Sequence, residues 1–362
     1  MECSQKPAWS KFVKERKLKI QRPDEEIFKH VLKNWDKIAK PLDGMGRFET
    51  LTAQIGAISG TDKMDLSKKA VVIMCADNGI VEEGVSQSGQ EVTAAVAQNM
   101  AHKQSCVGRM AAAIGADTIP VDIGISRQKP IHGVLNRKVR QGTRNFLKEP
   151  AMTKEETLRA IGVGIDMVQF CKASGYQLIG TGEMGIGNTT TSSAIAAALL
   201  KCDVAKVTGR GAGLSDEGLL QKQQVINAAI EKYDLYHEDV LTVLQTVGGL
   251  DIAGLVGVCI GGAVYHVPVV LDGVISMVAA LVAQRLIPGT ADYLIPSHKG
   301  KEPAMELLAK ELGLEPVIDG RLALGEGTGA VMMFGLLDMA MQIYRESNTF
   351  ADIEIEQYTR NL

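Results

Sequence analysis

The chain has 362 residues, of which 46% are apolar and only 4% aromatic, and it contains 38 glycines. This composition suits a close-packed α/β protein with many glycine turns, and it argues against a β-sandwich or a disordered chain. The formal net charge of −3 gives no general affinity for nucleic acid or for an anionic membrane.

The chain begins with a basic extension, residues 1–23, which we expect to be solvated, although a nucleic-acid-binding arm has a similar charge pattern. Its first residues lack the basic and apolar regions of a signal peptide. Six cysteines without a CxxC pair favour buried free thiols and a cytoplasmic protein. Helices are predicted from Asp24 and over roughly 46–58. We expect 24–64 and 331–362 to form a small helical domain beside an α/β domain, 65–330.

The α/β part alternates continuous apolar runs with helical runs. Strands are predicted at 70–79, 117–124, 176–183, 205–213, 267–273 and roughly 290–295, and helices at 91–114, 154–174, 189–200, 216–231, 240–262, 274–286 and 303–312. This alternation predicts a Rossmann-like, mostly parallel sheet with helices on both faces. Ligands of such sheets bind beyond the carboxyl ends of the strands, where Asp77, Asp122 and Asp272 occur.

Two apolar segments require separate tests. The stretch 252–271 has no formal charge and is long enough to span a bilayer. His266, Pro268 and the lack of a flanking Lys/Arg belt instead favour a buried helix, roughly 250–263, followed by a buried strand, so we expect no membrane span. The Met-rich helix 331–345 is apolar nearly all round, which favours a core or subunit-packing role over a metal site.

The segment 177–200 contains an apparent dinucleotide-binding fingerprint, in which Gly180, Gly182 and Gly185 fit G-x-G-x-x-G. Four polar residues, 188–191, delay the apolar part of the helix, and no acidic residue ends the following strand. Glu183 inside the loop would also repel a pyrophosphate. The segment therefore favours one phosphate and a sugar over NAD.

Two further glycine loops support this interpretation. They are "GRGAGL" (209–214), with Lys222 in the helix beyond it, and "GEGTGA" (325–330). Asn188 and Thr189 are expected to cap the helix after the first loop while offering side-chain donors. Three glycine loops, two of them holding a glutamate, predict a site that combines phosphate binding with acid–base chemistry.

Several sequence blocks carry a family resemblance. They are "KPLDGMGRFETLTAQIG", "CADNGIVEEGVSQSGQEVT", "GTGEMGIGNTTTSSA", "VGGLDIAG", "IPGTADYLIPSH" and "LALGEGTGA". Over about residues 24–345 the chain resembles the nicotinate-nucleotide–dimethylbenzimidazole phosphoribosyltransferase family. The resemblance implies transfer of 5-phosphoribosyl from nicotinate mononucleotide to an aromatic base, giving nicotinate and an α-ribotide for cobamide synthesis. It also implies a dimer, active sites near the subunit interface, and no metal or redox cofactor.

The resemblance assigns roles to individual residues. Glu326 matches the catalytic base, and Glu183 matches a second glutamate that holds ribose or stabilises the cationic reacting centre. The residues implied to bind the nucleotide and its phosphate are Gly185, Asn188, Gly211, Gly213, Lys222, Ser297, Leu324 and Gly325. Those implied to bind the acceptor are Ser88, Gln90, Val96 and Met184. Ser297 and His298 begin a loop that approaches the neighbouring subunit's site in the family.

Departures from the family pattern concern the acceptor pocket. Asn78 replaces the histidine of typical relatives, and Val96 aligns with a glutamine that contacts benzimidazole. These departures weaken the case for dimethylbenzimidazole and leave a phenol acceptor open, as in family members that work as heteromers of two paralogous chains. A homodimer and a heterodimer therefore both stay open. The alternative function is a non-catalytic subunit that supports a partner, but the presence of Glu326 favours an active chain.

Overall fold

The computed structural model describes residues 6–360. Within this range the α-helices are Lys6–Glu15 (α1), Glu25–Lys37 (α2), Arg47–Ser59 (α3), Glu91–Ala101 (α4), Cys106–Ala113 (α5), Lys154–Ala173 (α6), Asn188–Leu200 (α7), Asp216–Tyr233 (α8), Val240–Val247 (α9), Leu250–Tyr265 (α10), Val274–Leu286 (α11), Ala304–Leu312 (α12) and Thr328–Glu346 (α13). The strands are Lys69–Ala76 (β1), Asp117–Gly124 (β2), Leu135–Asn136 (β3), Leu178–Met184 (β4), Val269–Leu271 (β5), Leu294–Pro296 (β6), His298–Gly300 (β7) and Ile318–Leu322 (β8).

Six strands form one parallel sheet in the order β3-β2-β1-β4-β5-β6. The chain builds the sheet outward from β1 in one direction, then returns to the other side of β1 with β4. The crevice at this reversal, between the carboxyl ends of β1 and β4, is where open α/β sheets bind ligands. β7 and β8 pair separately as a short parallel ribbon. The predicted Rossmann-like fold class is confirmed.

The central strand β1 is buried on both faces, as its continuous apolar sequence predicts. Val72 and Met74 belong to a core that also contains α6, α7, α9, α10 and α11 side chains. Val71 and Ile73 belong to a second core on the opposite face. Successive strand residues point to opposite faces, so one apolar strand supplies both layers.

The helices α2, α3 and α13 pack together, as the sequence predicts, around Trp35 and Leu337. The same core continues onto the sheet, because Phe334 of α13 packs with β1 residues such as Val71. Trp35 satisfies its buried indole N–H by donating to Thr52 Oγ1 at 2.7 Å. The division into a helical domain and an α/β domain at residues 64 and 331 stays a prediction.

Four predicted elements differ from the structure. In the predicted strand 290–295, Thr290–Tyr293 is a 3₁₀ turn and only Leu294–Pro296 is a strand. The segment 205–213 is not a strand: a single 3₁₀ turn, Val204–Lys206, leads into an irregular loop. The predicted helix 91–114 is two helices, because Lys103 is left-handed (φ +56°) and Ser105 caps a new helix. The predicted helix 240–262 is likewise divided, by Gly248 and Gly249. In both helices the apolar pattern is continuous, and it therefore predicted one helix. Polar residues in the first case and glycines in the second end one helix and begin another.

The basic N-terminal segment is not a solvated extension where the structure describes it. Trp9 and Phe12 of α1 pack against the main core, and Arg16 pairs with Asp166 of α6 at 2.5 Å. Gln21 accepts a hydrogen bond of 2.7 Å from the Tyr293 hydroxyl through its carbonyl. Burial of the aromatic residues of this amphipathic helix holds it against the core, although the segment carries many positive charges. Residues 1–5 lie outside the described part of the chain.

The apolar stretch 252–271 divides into α10 and β5, as predicted. Neither this segment nor any other helix within residues 6–360 combines the length and the apolar character needed to cross a membrane.

Candidate active site

A cavity of about 300 Å³ opens beyond the carboxyl ends of β4 and β5. Its walls come from the end of β4, the first turns of α7 and α11, and the loop between β8 and α13. The predicted site residues that line it are Val96, Glu183, Met184, Gly185, Asn188, Gly211, Leu324, Gly325 and Glu326. The fold thus gathers segments that are far apart in the sequence around one space.

Glu326 reaches the cavity from a turn in which three consecutive residues are left-handed. The φ angles are +80° at Gly325, +63° at Glu326 and +96° at Gly327. Glycine adopts this conformation freely, whereas a side chain at such a position is strained, a feature that clusters at functional sites. The Val107 N–H, in the first turn of α5, donates to Glu326 Oε2 at 3.3 Å. Burial raises the pKa of Glu326, which makes its carboxylate a stronger base.

Asp272, which follows β5, forms hydrogen bonds to the backbone immediately after Glu326. Its two carboxylate oxygens accept hydrogen bonds from the backbone N–H groups of Gly327 (3.0 Å) and Gly329 (2.7 Å). The His298 imidazole lies close by, and Ser297 Oγ is 2.9 Å from His298 Nδ1. Burial raises the pKa of Asp272 and lowers that of His298. This buried carboxylate therefore fixes the backbone that presents Glu326.

Glu183, at the end of β4, lies beside the same turn. Its carboxyl accepts a hydrogen bond from Asn188 Nδ2 and another from the backbone N–H of Glu326. A Cβ atom on Gly325 would be only 2.6 Å from Glu183 Oε1, so only glycine leaves room for this carboxyl. Burial, together with the nearby charge of Asp251, raises the pKa of Glu183 to about 8.

Lys222 lies behind the part of the cavity wall that contains Thr189. Its side chain is fully buried, and its Nζ donates to Thr189 Oγ1 (2.9 Å) and to the Gly209 carbonyl (3.1 Å). In the described chain this Nζ forms no salt bridge within 4.0 Å, and only the charge of Glu302, at longer range, opposes the effect of its burial. Burial lowers the pKa of Lys222 to about 8. Because buried charges require compensation, a bound anion beside Thr189 would complete this site.

The predicted cap of α7 is wrong. Gly187 occupies the cap position in a left-handed conformation (φ +92°), and no side chain caps the helix. The Asn188 side chain instead turns toward Glu183 and toward Asp251 Oδ2, at 3.1 Å. Asn188 is the first residue of the helix rather than its cap, and its amide N–H groups donate to two buried carboxylates from distant segments, which sequence spacing does not reveal.

Several predicted site residues do not line this cavity. Gln90 donates to the Asn78 carbonyl (3.1 Å) and faces a separate surface groove beside Asp77. Ser88 lies in the same loop, and Gly213 lies in the exposed part of the 209–214 loop. Ser297 is buried, where it donates to the Asp272 carbonyl at 3.2 Å. Their assignment to substrate contacts stays a prediction.

The sequence predicted only some of the residues that support the site. Asp272 is expected at a ligand-binding strand end and Thr189 as a side-chain donor, whereas Asp251, in the quoted block "VGGLDIAG", has no predicted role. The Val107 N–H carries no sequence signal at all, because any residue except proline provides it. Asp251 could have been suspected, since an acidic residue within an otherwise apolar helix requires a buried partner.

The apparent dinucleotide fingerprint is not a loop. Gly180 and Gly182 lie inside β4, where a Cβ atom would be 3.0 Å from Ala330 Cβ and 2.6 Å from the Glu326 carbonyl oxygen, respectively. These glycines allow α13 and its preceding turn to pack on the strand. Rejecting NAD binding on sequence grounds agrees with this placement. Within residues 6–360, no three His, Cys, Asp or Glu side chains are grouped so as to hold a metal ion.

A Rossmann-like fold that brings together a glutamate in a strained turn, a second buried carboxyl and a buried lysine is an arrangement suited to acid–base chemistry on an anionic substrate. A family model described as phosphoribosyltransferase matches residues 20–355. The chain is 43% identical over 335 residues to the nicotinate-nucleotide--dimethylbenzimidazole phosphoribosyltransferase of Clostridium acetobutylicum, covering 92% of this chain and 95% of that protein. The protein of the same name from Acetivibrio thermocellus is also 43% identical, with coverages of 91% and 93%.

Structural similarity is equally extensive. The crystal structure of CobT from Thermus thermophilus superposes with a TM-score of 0.87 at 36% identity, covering 92% of this chain and all of that one. The chain belongs to this phosphoribosyltransferase family, and it is a transferase. No similarity supports the alternative of a non-catalytic subunit.

Proposed function

We propose that the enzyme transfers 5-phosphoribosyl from nicotinate mononucleotide to an aromatic lower-ligand base of the dimethylbenzimidazole type, releasing nicotinate and an α-ribotide. The observation that carries this proposal is the position of Glu326, held in a strained turn on the wall of a cavity that adjoins a buried lysine. The names of the relatives supply the substrates.

The reaction requires one base and no acid. The bond between C1′ and the cationic pyridine nitrogen breaks, and its electron pair leaves with nicotinate, which needs no proton. One nitrogen of the incoming base attacks C1′, and its other nitrogen loses a proton. Glu326 accepts that proton, and its burial brings its pKa closer to the operating pH. Glu183, when ionised, stabilises the positive charge that develops at C1′.

The donor phosphate and the aromatic acceptor contact different residues of the cavity wall. The phosphate lies near Thr189 and Gly211, where Lys222 supplies the compensating charge. The aromatic acceptor lies against the apolar wall made by Val96, Met184 and Leu324. Val96 offers no hydrogen-bond donor, and this observation keeps a phenol as a second candidate acceptor, attached through oxygen.

A competition assay tests this function. The purified chain is given nicotinate mononucleotide with equimolar dimethylbenzimidazole and phenol, and the products are separated by chromatography. We expect a dominant N-linked ribotide. A dominant O-linked ribotide would move the assignment to the phenol acceptor. Formation of neither product, even when a paralogous chain is added, would contradict the function.

The enzyme acts, in this proposal, as a homodimer in the cytoplasm. Exposed Met332 and Met339 lie seven residues apart on one face of α13, the helix that follows the Glu326 turn. Such a pair of exposed apolar side chains suits subunit packing. The cysteines within residues 6–360 are all free thiols, which suits a reducing compartment.

A further inference from the structure

One side-chain amide joins two buried carboxyls at the floor of the site. Asn188 Nδ2 donates to Glu183 Oε2 and, at 3.1 Å, to Asp251 Oδ2. An amide nitrogen carries two N–H groups, so both hydrogen bonds form together. Asp251 is fully buried and Glu183 is 8% exposed. Neither carboxyl has an Arg or Lys within 4.0 Å in the described chain, so the pair is not neutralised by a cation.

Asp251 lies behind the cavity wall rather than on it. It does not line the cavity, and the backbone of Gly185 lies between them: a Cβ atom there would be only 2.5 Å from Asp251 Oδ2. Asp251 is in the first turn of α10, and the Ile252 N–H donates to its Oδ1 at 3.0 Å. A helix N-terminus stabilises a negative charge, so Asp251 is the member of the pair that is better suited to remain ionised.

The two carboxyls cannot both carry a charge at low cost. Burial, reinforced by the charge of Asp251, raises the pKa of Glu183 to about 8. Burial raises the pKa of Asp251 only to about 6, because the hydrogen bonds from Asn188 and the Ile252 N–H oppose the effect. Near neutral pH the proton therefore resides on Glu183 and the charge on Asp251.

We propose that Asp251 is a positioning residue, which fixes the Glu183 carboxyl through the shared Asn188 amide and, by its charge, keeps a proton on Glu183 until a cationic substrate binds. This rests on the proposed function, in which the cationic ring nitrogen of nicotinate mononucleotide supplies that charge. Glu183 then releases its proton to solvent and faces the reacting C1′ as an anion. The Glu183 carboxyl is thus negatively charged only when the substrate is bound.

The test must account for every titratable group that faces this pair. They are Asp272 after β5, Glu326 before α13, Cys75 of β1 and Asp77 after β1. Glu326 responds to Asp272 but is not among the groups influenced by Asp251. A change at Asp251 should therefore shift the titration of Glu183 and leave that of Glu326 in place.

The first experiment needs no substrate. The carboxyl resonance of Glu183 is followed by NMR across a pH series in protein labelled with ¹³C at the glutamate carboxyls, and it is assigned by its absence in Glu183→Gln. We expect Asp251→Asn to lower the midpoint by about one pH unit or more, because a like charge has been removed. Asp166→Asn, which removes an exposed carboxylate on α6, is the matched control and should leave it unchanged.

An unchanged midpoint in Asp251→Asn would overturn the proposal. If that variant does not fold, Asn188→Ala provides the opposite test: it deletes the bridging donor and should raise the Glu183 midpoint, because the bond from Asn188 favours the ionised form. A midpoint that falls or stays constant in Asn188→Ala would also contradict the proposed bridge.

The second experiment measures kcat/KM for nicotinate mononucleotide against pH. In Asp251→Asn the limb that rises with pH should move to lower pH, whereas a purely structural role would lower activity equally at every pH. A uniform loss would therefore overturn the positioning role. If the NMR shift occurs but no variant or parent forms a ribotide, the coupling of Asp251 to Glu183 stands and the proposed function fails.

Discussion

Glu326 combines a left-handed backbone with a buried carboxylate, and each property gives a separate prediction. Replacing the carboxylate by an amide removes the base and preserves the shape. Glu326→Gln should lower kcat about 10²- to 10⁴-fold. In the parent enzyme, kcat should rise with pH through the raised pKa of Glu326, because only the ionised form accepts a proton. Steady-state kinetics across pH check this, and a variant with more than about a tenth of parental kcat would exclude Glu326 as the base.

The backbone strain at Glu326 is measurable without activity. Glu326→Gly and Glu326→Ala both delete the carboxyl and its bond to the Val107 N–H, but only glycine tolerates a φ of +63° freely. The Gly variant should be more stable than the Ala variant by about 1 kcal/mol. Denaturant unfolding of the two proteins provides the comparison. Equal stabilities would show that the turn relaxes in solution.

Lys222 gives a prediction on pH and stability. Its folded-state pKa, about 8, is depressed below the ordinary 10.5, so the unfolded chain holds this proton more tightly. Stability linked to Lys222 should therefore rise as the pH increases from about 8 toward 10.5. In Lys222→Met this rise should be absent from unfolding curves, and the affinity for nicotinate mononucleotide should fall about 10- to 100-fold. A Met variant that retains parental affinity would place the phosphate elsewhere.

At the scale of elements, the close crossing of α6 and α10 depends on glycines. A Cβ atom on Gly164 of α6 would be 1.9 Å from the Gly254 carbonyl oxygen of α10, a clash with backbone that cannot move aside. Gly164→Ala should therefore destabilise the protein by several kcal/mol, about 3 or more. A shift of α10 would also displace Asp251, which lies in the first turn of that helix, next to the candidate active site.

Gly162, two residues away on the same helix, is the matched control. There a Cβ atom would meet only the tip of the Arg16 side chain, at 2.7 Å, and that side chain can move. Gly162→Ala should be neutral or stabilising by up to about 1 kcal/mol, because alanine favours the helix. Thermal unfolding of both variants measures the difference. Similar losses of stability in Gly164→Ala and Gly162→Ala would mean that α6 and α10 do not cross closely at Gly164.

Helices and strands with strong apolar patterns were predictable from the sequence. The points at which such a pattern is broken by a turn were harder to predict. The limits of β2 and the helix that follows Asp24 agree with the sequence, because alternation of apolar runs and the Asp24 cap are local signals. The glycines of 205–213 suggested a strand ending in a loop, but residues 204–206 form a 3₁₀ turn capped by Asp203. The conformation of such a short segment depends on hydrogen bonds between a polar side chain and the nearby backbone. Strand and helix propensities do not include these hydrogen bonds.

At the scale of the whole molecule, the two exposed methionines of α13 predict an assembly. Met339 is 58% exposed, so Met339→Glu combined with Met332→Glu should leave the fold intact and convert the proposed dimer into a monomer. Leu220, also 58% exposed but on α8, is the control, since Leu220→Glu should not change the assembly. Sedimentation velocity measures the masses. A parent chain that is already monomeric would exclude the dimer.

By itself the sequence determined the fold class and the family, and it predicted that Glu326, Glu183 and Lys222 carry the chemistry, an assignment that stays a prediction. Apolar strands alternating with helices allow few architectures, and glycine loops with embedded glutamates are local features of the chain. Only the tertiary structure decided how these residues are supported. It placed Asp272 beneath the Glu326 turn, and Asn188 between Glu183 and Asp251. Such contacts join distant segments, and the protonation of a buried carboxyl depends on the charges folded around it.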